Sequence, residues 1–283
     1  MTKAPENTVL PTIFAFVLLL FDSSAFAQPE RLGDDVYKLG TIQDADITES
    51  SGIVASRRSP GVFWTHNDDA GPAVLFAIGK RGQAVGRVEV SGVTVEDWED
   101  IAADESGNLY IADIGNAGRN RKTLFVHKVR EPNPNRATSV AVSQSWALKF
   151  PSDPEDCEAF FVADGFGYVI TKDRKDSKVT VYRFGLSGSS PQKLQKVTKI
   201  KVTAPVSGAD ISKDKRRLGI ITSQGAYVFY INGNVASAGS ATRVFTRFDD
   251  STMEGGCFTG NGFLVSAEDG NLYLFTNPAF RGR

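Results

Sequence analysis

The chain has 283 residues, and its 32 lysines and arginines nearly balance 33 aspartates and glutamates, which leaves a net charge of −1 at pH 7. A chain without excess positive charge lacks the basic face that nucleic-acid binding requires, so we expect no nucleic-acid partner. The length suits one large all-β domain or two small ones. No long Pro-rich or Gly/Ser-rich linker divides the sequence, which favours one domain.

The first 27 residues have the pattern of a cleaved signal peptide. Lys3 precedes an apolar run over residues 13–21, and an Ala-x-Ala site that ends at Ala27 follows this run. Nine apolar residues are too few to span ~30 Å of hydrocarbon, so we expect no stable membrane anchor. The sequence therefore predicts a secreted or periplasmic protein, cleaved near Ala27/Gln28, with a single domain over residues 28–283.

Beyond the signal peptide, the chain repeats one pattern of short apolar strands. Five segments begin with a polar or acidic residue and continue as an apolar strand, at residues 49–54, 99–103, 158–162, 208–212 and 254–258. Second strands follow at 62–65, 109–112, 168–171, 218–221 and 263–266, and third strands at 73–78, 123–129, 179–184, 226–231 and 271–275. Fourth strands are predicted at 86–91, 140–150, 197–202 and 242–248. Alternating β-branched and aromatic residues, with Gly-, Asp- and Asn-rich turns between the runs, indicate an all-β fold.

The spacing of the repeat predicts a β-propeller. The entry residues are 48, 59, 52 and 44 positions apart, which suits blades of four strands; they are Ser51, Glu99, Glu158, Asp210 and Glu254. The fifth repeat lacks its own fourth strand, and the apolar segment 35–42 can supply it by pairing beside 272–275. We therefore predict a five-bladed β-propeller of four-stranded blades whose ring is closed by an N-terminal strand. A β-sandwich has a similar number of strands but does not explain the repeated entry motif.

Propeller geometry makes the five entry residues candidate metal ligands. The first strand of each blade lines the central channel, so these residues would surround one hole near one rim. Converging carboxylates raise the pKa of their neighbours by repulsion, and a divalent cation removes that cost. Oxygen ligands suit Ca²⁺, or Mg²⁺, and disfavour Zn²⁺. We predict Ca²⁺ as the cofactor, with Asp210 or the carbonyl of Ala209 as the fourth ligand; the alternative is that water and backbone amides satisfy the acids.

Charged loop residues are expected at the same rim, where second strands lead into third strands. They are His66, Asp68, Asp113, Arg119, Arg121 and Lys172. A guanidinium group pairs with carboxylate or phosphate in a bidentate way, so this rim could hold a small anionic ligand. The alternative is a set of ordinary solvated turn charges, and a lone His66 is more often a hydrogen-bonded turn residue than a general base.

The entry segments resemble those of the calcium-activated nucleotidase (apyrase) family, five-bladed propellers with calcium in the central channel. The similar segments are Glu49-Ser50-Ser51, Trp98-Glu99-Asp100, Glu158-Ala159-Phe160, Ser207-Gly208-Ala209-Asp210 and Glu254-Gly255-Gly256. Carried over position by position, the resemblance implies calcium ligands at the five entry positions. The loops that bind nucleotide in that family are not recognisable in this sequence. The chain also resembles a broad class of secreted bacterial propellers of unknown activity that carry Asn-Asp and Trp-Glu-Asp motifs.

Three functions are compatible with these residues. The first is a binding or scaffold module stabilised by its metal, with a small anionic ligand or a protein as partner. The second is a metal-dependent phosphohydrolase that acts on an anionic phosphorylated substrate, as the resemblance implies. The third is a glycosidase, which needs one acid and one base among the channel carboxylates and is disfavoured by their symmetry. No Gly-x-Ser-x-Gly or His-x-x-x-His motif is present, and we expect a monomer.

The two cysteines are expected to be free and buried. Cys157 and Cys257 belong to the first strands of the third and fifth repeats. These repeats are not neighbours in a five-bladed ring, and a disulfide requires Cα atoms within about 7 Å.

Overall fold

A computed structural model describes residue 1 and residues 28–68, 70–173 and 177–280, and this part of the chain is all-β. The predicted signal peptide lies outside the described residues, apart from Met1. Two short 3₁₀ helices, at Val235–Gly239 and Asn277–Phe280, accompany the strands. Within the described ranges, no helix has the length and apolar character needed to cross a membrane.

The strands follow one another along the chain with short turns between them. The first eleven are β1 (Glu30–Gly33), β2 (Val36–Thr41), β3 (Ser50–Ala55), β4 (Val62–Asn67), β5 (Val74–Gly79), β6 (Ala84–Ser91), β7 (Trp98–Ala103), β8 (Asn108–Asp113), β9 (Leu124–Arg130), β10 (Ser139–Lys149) and β11 (Cys157–Ala163). The others are β12 (Phe166–Thr171), β13 (Lys178–Gly185), β14 (Gln192–Lys193), β15 (Gln195–Lys201), β16 (Val206–Ile211), β17 (Arg217–Thr222), β18 (Gly225–Tyr230), β19 (Arg243–Arg247), β20 (Met253–Thr259), β21 (Gly262–Ala267) and β22 (Asn271–Thr276). Every strand predicted from the sequence overlaps one of these.

The strands pair antiparallel with their chain neighbours, as hairpins do. Two sheets have the orders β11-β12-β13-β15 and β16-β17-β18-β19. A nine-stranded sheet contains the runs β3-β4-β5-β6 and β7-β8-β9-β10, with β14 added beside β10. The two runs are joined because β6 and β10 pair in parallel over Glu89–Ser91 and Ser139–Ala141. A register shift in β10 between Val142 and Gln144 accompanies this change of partner, and the sequence analysis did not predict it.

The remaining sheet joins the two ends of the described chain. Its order is β1-β2-β22-β21-β20. Strand β2 pairs antiparallel with β22, with Val36 opposite Phe275 and Thr41 opposite Asn271. This pairing confirms the predicted association of segment 35–42 with the last repeat. Strand β1 adds a fifth, exposed strand that was not predicted.

Five strands, which we call the inner strands, pack side by side in a closed cycle: β3 contacts β7, β7 contacts β11, β11 contacts β16, β16 contacts β20, and β20 contacts β3. Their backbones approach so closely that a side chain would not fit between them. A Cβ atom at Gly52 would lie 2.6 Å from the Cα atom of Asp100, and one at Gly255 would lie 2.5 Å from the carbonyl oxygen of Ser51. Glycine at these positions therefore allows neighbouring inner strands to pack against each other.

Apolar side chains fill the space between neighbouring sheets. Trp64 from β4 and Trp98 from β7 belong to one buried cluster, and Trp146 packs with Phe160 in another. Cys157 lies in the cluster of Trp146, whereas Cys257 lies in a different cluster with Ile53 and Leu264. Both cysteines are buried and free, as the sequence predicts.

Candidate metal centre

Three carboxylates meet where the inner strands begin. Glu99 is the second residue of β7, Asp97 directly precedes that strand, and Asp68 directly follows β4. Asn67 at the end of β4 lies opposite Ser50 at the start of β3, so the antiparallel hairpin brings Asp68 to the same end of the inner strands as Glu99. One oxygen from each of the three carboxylates lies within 4.8 Å of the other two. We call Asp68, Asp97 and Glu99 the carboxylate cluster.

Asp113 at the end of β8 positions Asp97. Its carboxylate accepts hydrogen bonds from the backbone N–H groups of Glu96, at 3.2 Å, and Asp97, at 3.1 Å. Arg121 neutralises this buried carboxylate, since its Nη2 atom lies 2.7 Å from Oδ1 of Asp113. Arg121 also donates to the carbonyl oxygen of Gly115 at 2.6 Å. Asp113 and Arg121 therefore act on the cluster through the backbone that carries it.

Gly115 leaves the space that the cluster occupies. A Cβ atom at this position would lie 2.1 Å from Oε1 of Glu99 and 2.3 Å from Oδ2 of Asp97. The carboxylates of two cluster residues thus fill the place that any other side chain at 115 would take. Ionised carboxylates accept hydrogen bonds but cannot donate them. The close approach of the ionised Asp97 and Glu99 carboxylates therefore costs free energy unless a cation lies between them.

The surroundings of Glu99 disfavour its negative charge. Burial raises the pKa of Glu99 well above its ordinary value, and repulsion from Glu158 raises it further. Asp68 and Asp97 act in the same direction on Glu99. Burial likewise raises the pKa of Asp97 and of Glu158.

Glu158 on β11 and Glu254 on β20 extend this negatively charged region. Burial raises the pKa of Glu254 to about 9, with repulsion from Glu158 as the next cause. Lys172, which follows β12, is the nearby positive charge, and its Nζ atom lies 2.7 Å from Oε1 of Glu158. Burial alone would lower the pKa of Lys172, but the attraction of Glu158 outweighs burial and the net shift is upward. Among these residues, the buried carboxylates thus have one positively charged neighbour, the half-exposed ammonium group of Lys172.

The five predicted metal ligands have different surroundings. Glu99 lies in the carboxylate cluster. Repulsion from Glu158 adds to the effect of burial in raising the pKa of both Glu99 and Glu254. The Ser51 hydroxyl donates to the carbonyl oxygen of Glu99 at 2.7 Å, which links β3 to β7. The Asp210 carboxylate accepts the N–H of Phe258 at 2.8 Å, which links β16 to β20.

The three positively charged residues of the predicted anionic-ligand rim are already paired within the protein. Arg119 forms an ion pair with Asp173, and Lys172 and Arg121 have the partners described above. His66 is fully buried, its Nδ1–H donates to the carbonyl oxygen of Asn67 at 3.0 Å, and its ring meets Trp98 edge-on. Burial lowers the pKa of His66 to about 4, so the imidazole is neutral at pH 7.

Asp100 is the residue whose role sequence analysis missed. It is fully buried on β7, and its Oδ2 atom accepts N–H groups from Phe160 on β11, at 2.8 Å, and Ala209 on β16, at 3.2 Å. Its Oδ1 atom accepts the N–H of Ile101 at 2.8 Å. The pairing of β7 with β8 shifts register between Trp98 and Asp100, so the regular alternation of a strand is interrupted at Glu99. The sequence showed a second acid beside the entry residue Glu99, but no residue pattern marked its partners on β11 and β16.

Comparison with known proteins leaves the family of this chain open. No protein-family model matches the sequence, and no curated protein matches it. Among solved structures, the chain is similar to one titled "Structure of U3-55K", at 10% identity with a TM-score of 0.41. The match covers 86% of this chain and 64% of that one, so the present chain spans less than two thirds of its length. None of these comparisons supports the resemblance to the apyrase family.

Proposed function

We propose that this chain is a secreted, five-bladed β-propeller of four-stranded blades that binds Ca²⁺ at the carboxylate cluster and serves as a binding module. The closed cycle of inner strands supports the propeller architecture. So does the strand order, in which each inner strand begins a run of antiparallel neighbours. In this architecture the cluster lies at one mouth of the central channel.

The observation that carries the metal proposal is the convergence of Asp68, Asp97 and Glu99 within 4.8 Å. Ca²⁺ binds oxygen at about 2.3–2.6 Å, so two ligands on opposite sides of the ion are roughly 5 Å apart. Oxygens at the observed spacing can therefore share one ion. All the donors are hard oxygens, which favours Ca²⁺ over Zn²⁺. The irregular cage favours Ca²⁺ over Mg²⁺, which requires near-octahedral geometry.

A bound cation would contribute to the stability of the fold as well as to ligand binding. It would attract the cluster carboxylates, whose mutual repulsion raises the pKa of Glu99. It would stabilise the folded state because the unfolded chain has no such site. Glu158 on β11 and Glu254 on β20 would contribute negative charge from two other inner strands. The cation would also supply a positive charge at the channel mouth that attracts an oxygen of a partner molecule.

Calorimetric titration of calcium into chelator-treated protein tests this proposal. We expect one site with a Kd of roughly 10⁻⁵ to 10⁻³ M. Asp97→Asn removes one charge from the cluster and should weaken binding at least about tenfold. Asp249→Asn, which changes an exposed carboxylate paired with Arg247, is the matched control and should bind as the parent does. No binding by the parent, or equal binding by Asp97→Asn, would refute the metal proposal.

A metal-dependent phosphohydrolase is the second candidate, and Lys172 favours it. This lysine is partly exposed beside Glu158, so its ammonium group could meet a phosphate that also binds the cation. Hydrolysis of p-nitrophenyl phosphate and of nucleoside triphosphates in calcium, compared with the same assays in chelator, separates this candidate from a non-catalytic module. Calcium-dependent turnover that is lost in Lys172→Met supports the hydrolase, and absence of turnover from a calcium-loaded protein supports the binding module.

A further inference from the structure

The far ends of the inner strands, opposite the carboxylate cluster, surround two adjoining cavities. The first has a volume of about 500 Å³ and is reached by the ends of β7, β11 and β16 at Ala103, Ala163 and Ile211. The second has a volume of about 620 Å³ and is reached by the ends of β3, β16 and β20. Each is in the size range of pockets that hold small molecules. All five inner strands thus end at one or the other cavity.

Arg57 borders both cavities. It follows β3 directly after Ser56, and its side chain is 21% exposed. Its Nε atom is buried and has no hydrogen-bond partner among the residues that the structure describes. Its Nη2 atom reaches the carbonyl oxygen of Ala103 only at 3.5 Å. The guanidinium group thus has donors available, although arginine donors that are shielded from water are normally paired.

Lys213 brings a second positive charge to both cavities, and one carboxylate is shared between the two cations. Glu105 lies 3.6 Å from Nε of Arg57 and 3.6 Å from Nζ of Lys213, too far for a hydrogen bond to either. The other acids nearby have closer partners. Asp164 pairs with Lys215, and Asp104 accepts hydrogen bonds from Asn108 and Tyr110.

The second cavity is lined by three positively charged residues, Arg57, Lys213 and Arg217, and by two acids, Asp210 and Asp214. Glu105, which lies outside this lining, is the counter-ion that Arg57 and Lys213 share. Asp214 accepts hydrogen bonds from the Ser212 hydroxyl, at 2.6 Å, and from the N–H of Arg216, at 3.1 Å. Asp210 accepts the N–H of Phe258, as described above. The lining also contains the apolar side chains of Val62, Phe63 and Phe258, and the guanidinium of Arg217 lies over the Phe258 ring, 5.0 Å from its centre.

We infer that the second cavity is a binding site for a small molecule with an apolar body and an oxyanion, in which Arg57 and Lys213 bind the oxyanion. A planar guanidinium with available donors matches carboxylate and phosphate alike. The apolar side chains of the lining give the rest of the ligand a surface to bury. This site is independent of the proposed calcium site, because it lies at the opposite end of the inner strands and uses none of the cluster residues.

Benzoate and phenyl phosphate are suitable probes, with benzyl alcohol as the neutral counterpart. Binding is measured by calorimetry or ligand-observed NMR in the presence of chelator, so that no cation at the carboxylate cluster can capture the oxyanion. We expect one or both anions to bind with a Kd below roughly 10 mM and the alcohol to bind at least about tenfold more weakly. The stronger of the two anions identifies the oxyanion that the site prefers.

Variants decide whether Arg57 and Lys213 make this site. Arg57→Gln should weaken anion binding about tenfold or more, since it removes a charged hydrogen-bond donor. Lys213→Gln should weaken binding by a smaller factor, and its side chain is 80% exposed, so folding should be unaffected. Arg247→Gln, at an exposed arginine on β19, is the matched control. If Arg57→Gln does not fold, Lys213→Gln alone decides. Absence of binding by the parent, equal binding of the alcohol, or undiminished binding by the folded variants would overturn the inference.

Discussion

Two neighbouring residues on β7 show how differently this protein uses a buried carboxylate. At Asp100, burial raises the pKa, and backbone N–H groups from three residues oppose the shift. At Glu99, burial raises the pKa, and three nearby carboxylates reinforce the shift. In the first arrangement the net pKa shift is still upward, but the fold supplies N–H donors to both carboxylate oxygens. The second remains unfavourable until a proton or a cation arrives, which is the electrostatic condition of a metal site.

The largest effect is expected at Asp100. Asp100→Ala would leave the N–H groups of Phe160 and Ala209 buried without an acceptor, at a cost of about 1–3 kcal/mol each. The free energy of unfolding, measured with urea, should fall by about 3 kcal/mol or more, to the same extent in calcium and in chelator. Asp249→Ala, at an exposed acid, should change it by less than about 0.5 kcal/mol. If Asp100→Ala lowered the free energy of unfolding only in calcium, Asp100 would support the carboxylate cluster and not the fold.

The next largest effect is expected on calcium affinity, from a substitution at Gly115 beside the carboxylate cluster. Gly115→Ala inserts a methyl group where the Glu99 and Asp97 carboxylates lie, and should weaken calcium binding about 10- to 100-fold. Gly118→Ala is the control in the same loop, because its added Cβ would meet only Asn120, at 3.5 Å. Both affinities can be measured by calorimetry. Equal affinities for the two variants would show that the space beside Gly115 is not part of a metal site.

The smallest expected effect is a change in the pH dependence of stability. Glu254 has a pKa of about 9 in the folded protein and 4.5 ordinarily, so between these values the folded protein holds a proton that the unfolded chain has lost. In chelator, the free energy of unfolding should therefore fall as pH rises from 7 towards 9, by up to ~1.4 kcal/mol per pH unit for this residue. His66 does not contribute in this window, because its pKa is about 4 when folded and 6.5 ordinarily. Glu254→Gln should give a shallower slope, and an unchanged slope would contradict the assignment.

The sequence predicted the strands well because their signal is local. Alternating apolar residues and turn residues determine where a strand begins and ends, and the repeat spacing identified Glu99 as an entry residue. The pairing of β2 with β22 followed from a simple count of strands. The parallel pairing of β6 with β10 could not be predicted, because it depends on a register shift within β10 that no residue pattern marks.

The candidate site was predicted less completely, because loops assemble it. The Asp113 carboxylate accepts two backbone N–H groups of the loop that carries Asp97, and this contact helps to place Asp97 beside Glu99. Similarly, the position of Arg57 between two cavities depends on where all five inner strands end. Such arrangements arise from contacts between side chains and a distant backbone, and these contacts leave no periodic trace in the sequence.

The most direct test of the metal proposal compares Glu99→Gln with the parent protein in two conditions. At pH 7, the free energy of unfolding is measured with calcium at a hundredfold excess over Kd and again in chelator. Calcium should stabilise the parent by about 2.7 kcal/mol and the variant by much less, so the variant is the less stable protein in calcium. In chelator, the variant should be equally or more stable, because its amide avoids the free-energy cost of protonating the buried Glu99 carboxylate at pH 7. The same difference between the two proteins in both conditions would contradict the proposal that Glu99 is poised to bind a cation.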